Sequence, residues 1–204
     1  MASSAVRIAP LILVIQAATP IQAQQISDEL RSPAAFSSIQ DAHERSVALF
    51  GEAGKVIQHP RCINCHPAGD HPLQGEDRHR HFPAVVRGPE NMGVPGDYCT
   101  ACHHDTNVTP LAAPHTSIPG NPRWQLAPRE MVWETKTLGE ICTQLKDPER
   151  NGRRSLAELH EHMAEDDLVG WGWHPGAGRQ PAPGTQQIFG ALIQAWIDTG
   201  AACP

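Results

Sequence analysis

The sequence predicts a mainly α-helical fold with long loops, and three observations lead to that class. Apolar residues at helical spacing follow N-capping residues in several segments near the two ends of the chain. Residues 67–128 between them are dominated by Gly, Pro, His and Asp, without a sustained alternating strand pattern. The 204 residues include 17 Gly and 19 Pro but only five Trp, four Phe and one Tyr, which predicts a thin core of side chains.

The N-terminus has the pattern of a secretory signal peptide. Arg7 precedes an apolar stretch over residues 8–18, and Ile21-Gln22-Ala23 is an acceptable cleavage site. We therefore expect a signal peptide over residues 1–23 and one mature domain over residues 24–204. A buried N-terminal helix and an uncleaved anchor are the alternatives, although the apolar run is short for a span of about 20 residues.

Four helices are predicted in the mature domain, after a polar segment over residues 24–37 that predicts no element. Thr137 and Ser155 each open a capping-box pattern with a Glu three residues later, and Thr185 is placed to cap the last helix. Pro60 ends the first helix. The predicted helices span residues 38–57, 137–146, 155–166 and 185–199.

The charge balance excludes one class of partner. A formal net charge of −6, without a stripe of Lys and Arg that could neutralise phosphates, disfavours nucleic acid. After signal cleavage no segment is apolar and long enough to be predicted as a membrane span. Export would place the six cysteines where disulfides and covalent cofactor attachment are permitted.

Two Cys-x-x-Cys-His motifs carry the strongest chemical signal in the chain. The motifs are formed by Cys62, Cys65 and His66, and by Cys99, Cys102 and His103. Two cysteines three residues apart can each form a thioether with one vinyl group of a haem, and the next residue is then held under the iron as the proximal ligand. This spacing is typical of c-type haem attachment, so we expect two haem c groups and a short helix at the second motif.

Two other chemistries also use paired cysteines. Four thiolates could hold zinc in a ribbon, but a zinc ribbon needs no histidine after each pair. A thioredoxin-like redox pair would need a βαβ context, which the sequence lacks. Haem is therefore the favoured interpretation, and two porphyrins would supply apolar surface that the side chains lack. On this argument the apoprotein should fold poorly.

Four stretches resemble the dihaem c-type cytochromes of bacterial periplasms, and in particular a group labelled isoquinoline 1-oxidoreductase subunit. They are residues 61–67 (RCINCHP), 86–88 (VRG), 127–131 (APREM) and 171–173 (WGW). The resemblance covers most of the mature chain and implies a loop-rich, cytochrome c-like fold with helices wrapped around two covalent haems. It also implies a periplasmic location and service to a molybdenum hydroxylase, although the chain has no iron–sulfur spacing and no molybdopterin-sized domain.

Each iron has a sixth position, for which ten other histidines and three methionines besides Met1 compete. In the loop after the first motif, which could fold back over that haem, His81 is favoured because it adjoins Phe82 and Pro83 and precedes an apolar stretch. His71 is the alternative there. The other candidates are His115, His174, Met92 and Met131.

The helix that begins after Ser155 supplies the second candidate ligand. His160 and Met163 share its apolar face, so helix geometry favours one of these two. The resemblance, in which a His-Met pair precedes two acidic residues, favours His162. We therefore predict His162, with Met163 as the close alternative, although a core position is the commonest role of methionine. The choice matters because methionine ligation tends to raise a haem potential.

The remaining cysteines, Cys142 and Cys203, are expected to form a disulfide. A bridge across 61 residues would stabilise the fold by roughly 4 kcal/mol in the chain-entropy model.

Trp124, Trp171 and Trp173 are candidates for packing against a porphyrin, or for ordinary anchoring in the core.

The favoured function is electron transfer between redox protein partners, from a dehydrogenase or oxidoreductase to a terminal acceptor. No catalytic residue is predicted, and an acidic surface would steer encounters with a basic patch on a partner. The alternative is a small peroxidase-like dihaem enzyme with one open iron position, where His115 or Glu130 could serve as the acid–base group. A haem-based sensor or a structural subunit is the third class.

Overall fold

The computed structural model describes residues 29–113 and 115–204. The predicted signal peptide lies outside these residues. In the described part of the chain, helices far outweigh strands. The helices are α1 (Ala42–Ile57), α2 (Pro60–Ile63), α3 (Leu138–Leu145), α4 (Leu156–Glu165), α5 (Asp167–Gly170) and α6 (Gln186–Asp198). The strands are β1 (Leu73–Gln74), β2 (His79–Arg80), β3 (Gly93–Val94) and β4 (Asp97–Tyr98).

Helix α1 begins four residues later than predicted, because a capping residue stops it. The Asp41 carboxylate accepts a hydrogen bond from the backbone N–H of Glu44, so Asp41 is the N-cap. The expectation of a segment without structure before this helix is wrong for Pro33–Phe36, which forms a 3₁₀ turn. Phe36 is buried there, and its burial ties the N-terminal segment to the core.

The caps predicted for the later helices are confirmed. Thr137 and Ser155 each make both hydrogen bonds of a capping box, which fixes the starts of α3 and α4. The Thr185 hydroxyl accepts from the backbone N–H of Ile188 at the start of α6. The four-residue helices α2 and α5 were not predicted, since neither is long enough to show a hydrophobic period.

Four of the helices build a core made of side chains. Helix α6 packs against α1 and α4, and α1 also packs against α3. Phe50 and Trp196, from α1 and α6, meet in the centre with ring centroids 4.8 Å apart, and both are almost completely buried. The predicted thin core is therefore wrong for the helical part, because its few aromatic residues are concentrated where the helices meet.

The segment over residues 67–128 is built differently. Two antiparallel hairpins, β1–β2 and β3–β4, and long loops account for most of it. Of its described apolar side chains, Leu126 alone belongs to the buried set. This segment therefore has almost no side-chain core, as the composition predicted for the whole chain.

The expected disulfide between Cys142 and Cys203 is confirmed, with the two Sγ atoms 2.07 Å apart. It ties α3 to the C-terminal tail across 61 residues. No helix in the described ranges is both long and apolar enough to cross a membrane.

Candidate functional site

The first Cys-x-x-Cys-His motif lies on α2 and the turn after it. Pro60 occupies the first turn of α2, and the backbone N–H of Cys65 and of His66 continue the turn by bonding to the carbonyls of Cys62 and Ile63. All three motif side chains line one cavity of about 120 Å³. We call this cavity and its residues the first site.

His66 is held in one orientation from two sides. Its Nδ1 lies 2.9 Å from the carbonyl oxygen of Met131, and its ring stacks on Trp133 at 3.7 Å between centroids and 6° between planes. A carbonyl only accepts, so Nδ1 carries the proton and Nε2 keeps its lone pair. Burial lowers the pKa of His66 to about 3, which keeps the ring neutral.

The opposite side of the first site is formed by α4. Both His162 and Met163 line the cavity that contains His66. The Nδ1 of His162 lies 3.1 Å from Oδ2 of Asp166, one helical turn later, so this ring is also fixed through Nδ1. Met163 is 4 % exposed and belongs to the core cluster, so it has the packing role that methionine commonly has.

The thiols of the first motif are not activated. Burial raises the pKa of Cys62 to about 12 and that of Cys65 to about 11, so both are protonated at neutral pH. A nucleophilic redox pair needs a lowered pKa instead. The environment of this motif therefore disfavours the thioredoxin-like interpretation.

The second motif begins directly after β4. Cys99–Ala101 forms a 3₁₀ turn where a short helix was expected. His103 repeats the arrangement of His66: its Nδ1 lies 2.8 Å from the carbonyl oxygen of Pro119, and its ring stacks on Trp124 at 4.7 Å and 11°. Burial lowers the pKa of this histidine to about 4.

His81 lies beside the second motif. Its ring centroid lies 5.9 Å from that of His103, and both rings line a cavity of about 70 Å³ together with Cys99 and Cys102. The sequence suggested that this loop could fold back over the first motif. His81 directly follows β2 and shares a further cavity with Cys65 of that motif, but His103 is the motif histidine next to it. We call the cavity of about 70 Å³ and its residues the second site.

His81 and His103 have the same donor chemistry. The Nδ1 of His81 lies 2.9 Å from the carbonyl oxygen of Pro83, so this ring too keeps its Nε2 lone pair. The two ring planes are inclined by 55°. Each ring could hold a metal ion through its Nε2.

The two sites adjoin. A third cavity of about 580 Å³ is lined by Cys65 of the first motif and by Cys102 and His103 of the second. Trp124 lines all three cavities and meets Trp171 edge to face at 4.9 Å. The two tryptophans therefore lie between the sites. Trp173 is mainly a core residue that also lines the first site.

The other sixth-ligand candidates lie elsewhere or are otherwise engaged. His71 bonds through Nδ1 to the carbonyl oxygen of Val85 and lines neither of the first two cavities. Met131 contributes its carbonyl to His66. The exposed candidates are Met92, His115 and His174.

The zinc alternative needs four thiolates close together. Within residues 29–113 and 115–204, no group of three or more His, Cys, Asp or Glu side chains has the geometry to hold a metal ion. Cys62 and Cys65 line the first site and Cys99 and Cys102 the second, although Cys65 and Cys102 also share the third cavity.

Sequence reasoning missed two residues of the first site. Trp133 stacks on His66, although nothing in its sequence neighbourhood marks it as different from a core tryptophan. Asp166 bonds to His162 through an i, i+4 contact, and this spacing on a helix was the available signal.

The sequence matches no model of a known protein family, and no curated protein or solved structure matches it.

Proposed function

We propose that this protein is an electron-transfer protein that carries two covalently attached c-type haems. In the first site Cys62 and Cys65 would attach one haem through thioethers, and His66 and His162 would hold its iron. Met163 is the alternative ligand of the first site. In the second site Cys99, Cys102, His103 and His81 would have the corresponding roles.

One observation carries the proposal. Each motif histidine shares a cavity with a distant histidine, and all four rings have Nδ1 fixed by an acceptor 2.8–3.1 Å away, at Met131, Pro119, Pro83 or Asp166. Metal-bound histidines almost always donate their other ring N–H in this way. The same pattern at both motifs, with the two histidines of each pair in one cavity, is what paired metal ligands would require.

The chain would hold and insulate its cofactors, and no bond-making step is required of it. When bound, the haem irons supply one-electron oxidation and reduction. His66 and His103 are kept neutral by burial and therefore ready to ligate. Trp133 and Trp124 hold their planes by stacking, while Leu159 and Phe189 keep water from the first site.

The proposed setting follows from the motifs and from the predicted leader. Covalent attachment fits an exported protein, so we propose a periplasmic location after cleavage of residues 1–23. The partners would be a dehydrogenase or oxidoreductase as donor and a terminal acceptor. The net charge of −6 would favour a partner with a basic face.

The test is to express the chain with a c-type haem attachment system and examine the mature protein. We expect the mass of two haems, and low-spin spectra that cyanide and carbon monoxide leave unchanged. His162→Ala should make the first haem high-spin, and His81→Ala the second. His160→Ala is the matched control, because it lies on the same helix without lining the first site.

Two results would contradict the proposal. A mature protein without covalent haem removes it altogether. A wild-type high-spin component that binds peroxide would instead favour the peroxidase-like alternative. If Met163→Leu and not His162→Ala turns the first haem high-spin, the electron-transfer function stands and the ligand assignment changes to Met163.

A further inference from the structure

The four histidines of the two sites do not have equivalent partners. Three of them bond through Nδ1 to neutral backbone carbonyls, those of Met131, Pro119 and Pro83. His162 alone of the four bonds to a carboxylate, at 3.1 Å from Oδ2 of Asp166. In the first site, one of the two histidines therefore has a charged hydrogen-bond acceptor at Nδ1. In the second site, both histidines have neutral acceptors.

The Asp166 carboxylate is held in place by further bonds. Its Oδ1 accepts from the backbone N–H of Leu168 at 2.8 Å, where Asp166 is the N-cap of α5, and from the Arg123 guanidinium at 2.8 Å. These two bonds leave Oδ2 directed at His162. An ion pair with Arg123 and a backbone N–H donor are the surroundings of an ionised carboxylate.

We infer that Asp166 is a positioning residue that lowers the reduction potential of the first site through His162. This inference rests on the proposed function. A carboxylate partner raises the basicity of a ligating imidazole, which stabilises the ferric state more than the ferrous state. With the neutral Asn in its place, the potential of the first site would be higher.

The second site is the more accessible of the two. Cys102 is exposed, and the exposed Phe82 and Tyr98 also lie against its cavities. The first site is covered by the core helices α4 and α6, whose residues Leu159 and Phe189 are buried. A partner can therefore approach the second site more closely than the first.

The test compares two single substitutions in the haem-loaded mature protein. Asp166→Asn keeps an N-cap side chain for α5 but removes the charged acceptor of His162. We expect the first-site potential to rise, with the ferric–ferrous equilibrium shifted about tenfold, or about 59 mV for one electron. The second-site potential should not move. Asp167→Asn is the matched control, because it removes the same charge one residue further along the chain.

A third variant changes the sign of the effect. Arg123→Gln removes the cation that shares the carboxylate, so the first-site potential should fall. The low-spin component that His162→Ala abolishes belongs to the first site, and the potential of that component is the first-site potential. Paramagnetic NMR follows the Nδ1 proton of His162. The Asp166→Asn variant should shift that proton resonance, and Asp167→Asn should not.

The inference is overturned if Asp166→Asn leaves the first-site potential unchanged, or if Asp167→Asn moves it equally. In those cases haem binding and low-spin spectra persist and the proposed function stands. A protein without haem, or a first site that stays low-spin in His162→Ala, shows that the proposed function or the ligand assignment fails, and the inference fails with it. These results are seen before any potential is measured.

Discussion

At the scale of single residues, the two motif histidines share one construction. Each is bonded through Nδ1 to a carbonyl of a distant loop and stacked on a tryptophan from a third segment, Trp133 for His66 and Trp124 for His103. A hydrogen bond fixes the tautomer, whereas stacking fixes the rotation of the ring. Both are needed if Nε2 is to point at one place in the cavity.

Trp133 offers a residue-scale test of the stacking. Its side chain is 5 % exposed, and its Nε1 has no hydrogen-bond partner among the described residues. Trp133→Phe should therefore preserve the stack and the low-spin spectrum of the first haem. Trp133→Ala leaves a cavity and should lower the free energy of unfolding by about 3–5 kcal/mol. Denaturant unfolding and absorption spectra measure both effects, and equal behaviour of the two variants would contradict the stacking role.

At the scale of elements, the position of His162 depends on how closely α4 lies against α6. A Cβ added to Gly190 on α6 would be 2.5 Å from the Cβ of Ala164 on α4, which no rotamer change can relieve. The absence of a side chain at position 190 therefore sets the separation of these helices. It also sets how far His162 extends toward His66.

Gly190→Ala should move α4 away from α6. We expect a loss of about 1–3 kcal/mol in the free energy of unfolding, because overpacking a closed helix contact strains both helices. The first haem should gain high-spin character while the second haem is unaffected. Gly51→Ala is the matched control, since a Cβ there meets nothing within 4 Å. As an exposed helix position it should gain about 0.5–1 kcal/mol. Loss of stability in both variants would show that helix contact at position 190 is not the cause.

At the scale of the whole molecule, the protein has two unequal parts. The helices have a core of their own, with Phe50 and Trp196 in contact at its centre. The disulfide ties the C-terminal tail to this part. Residues 67–128 bury Leu126 and little else that is apolar. The cofactor surface should therefore matter more to the second part than to the first.

Removing one attachment site separates these two parts. A variant with Cys99→Ser and Cys102→Ser should keep the first haem and lose the second. We expect amide hydrogen exchange to increase strongly over residues 67–128, while α1 and α6 stay protected. Loss of protection throughout the chain would instead support the expectation, drawn from composition, that the whole apoprotein folds poorly. Unchanged exchange over residues 67–128 would show that this segment is stable without the haem.

The sequence by itself determined the local features. The helix caps could be predicted at Thr137, Ser155 and Thr185, because a cap depends on residues a few positions apart. The disulfide between Cys142 and Cys203 could be predicted by elimination, because the other four cysteines belong to the two motifs. The two Cys-x-x-Cys-His motifs belong to the same class, since their meaning lies in a five-residue spacing. Short elements such as α2 and α5 gave no period to detect.

The tertiary structure alone decided which distant residues meet. His81 follows the first motif in the chain but lies beside His103. His162 faces His66 across 96 positions of chain, because α4 packs on α6. No local pattern encodes such pairings, since they arise from the summed burial of helices and the routing of loops. The candidate histidines can be listed from the sequence, and which of them lie together is decided only by the fold.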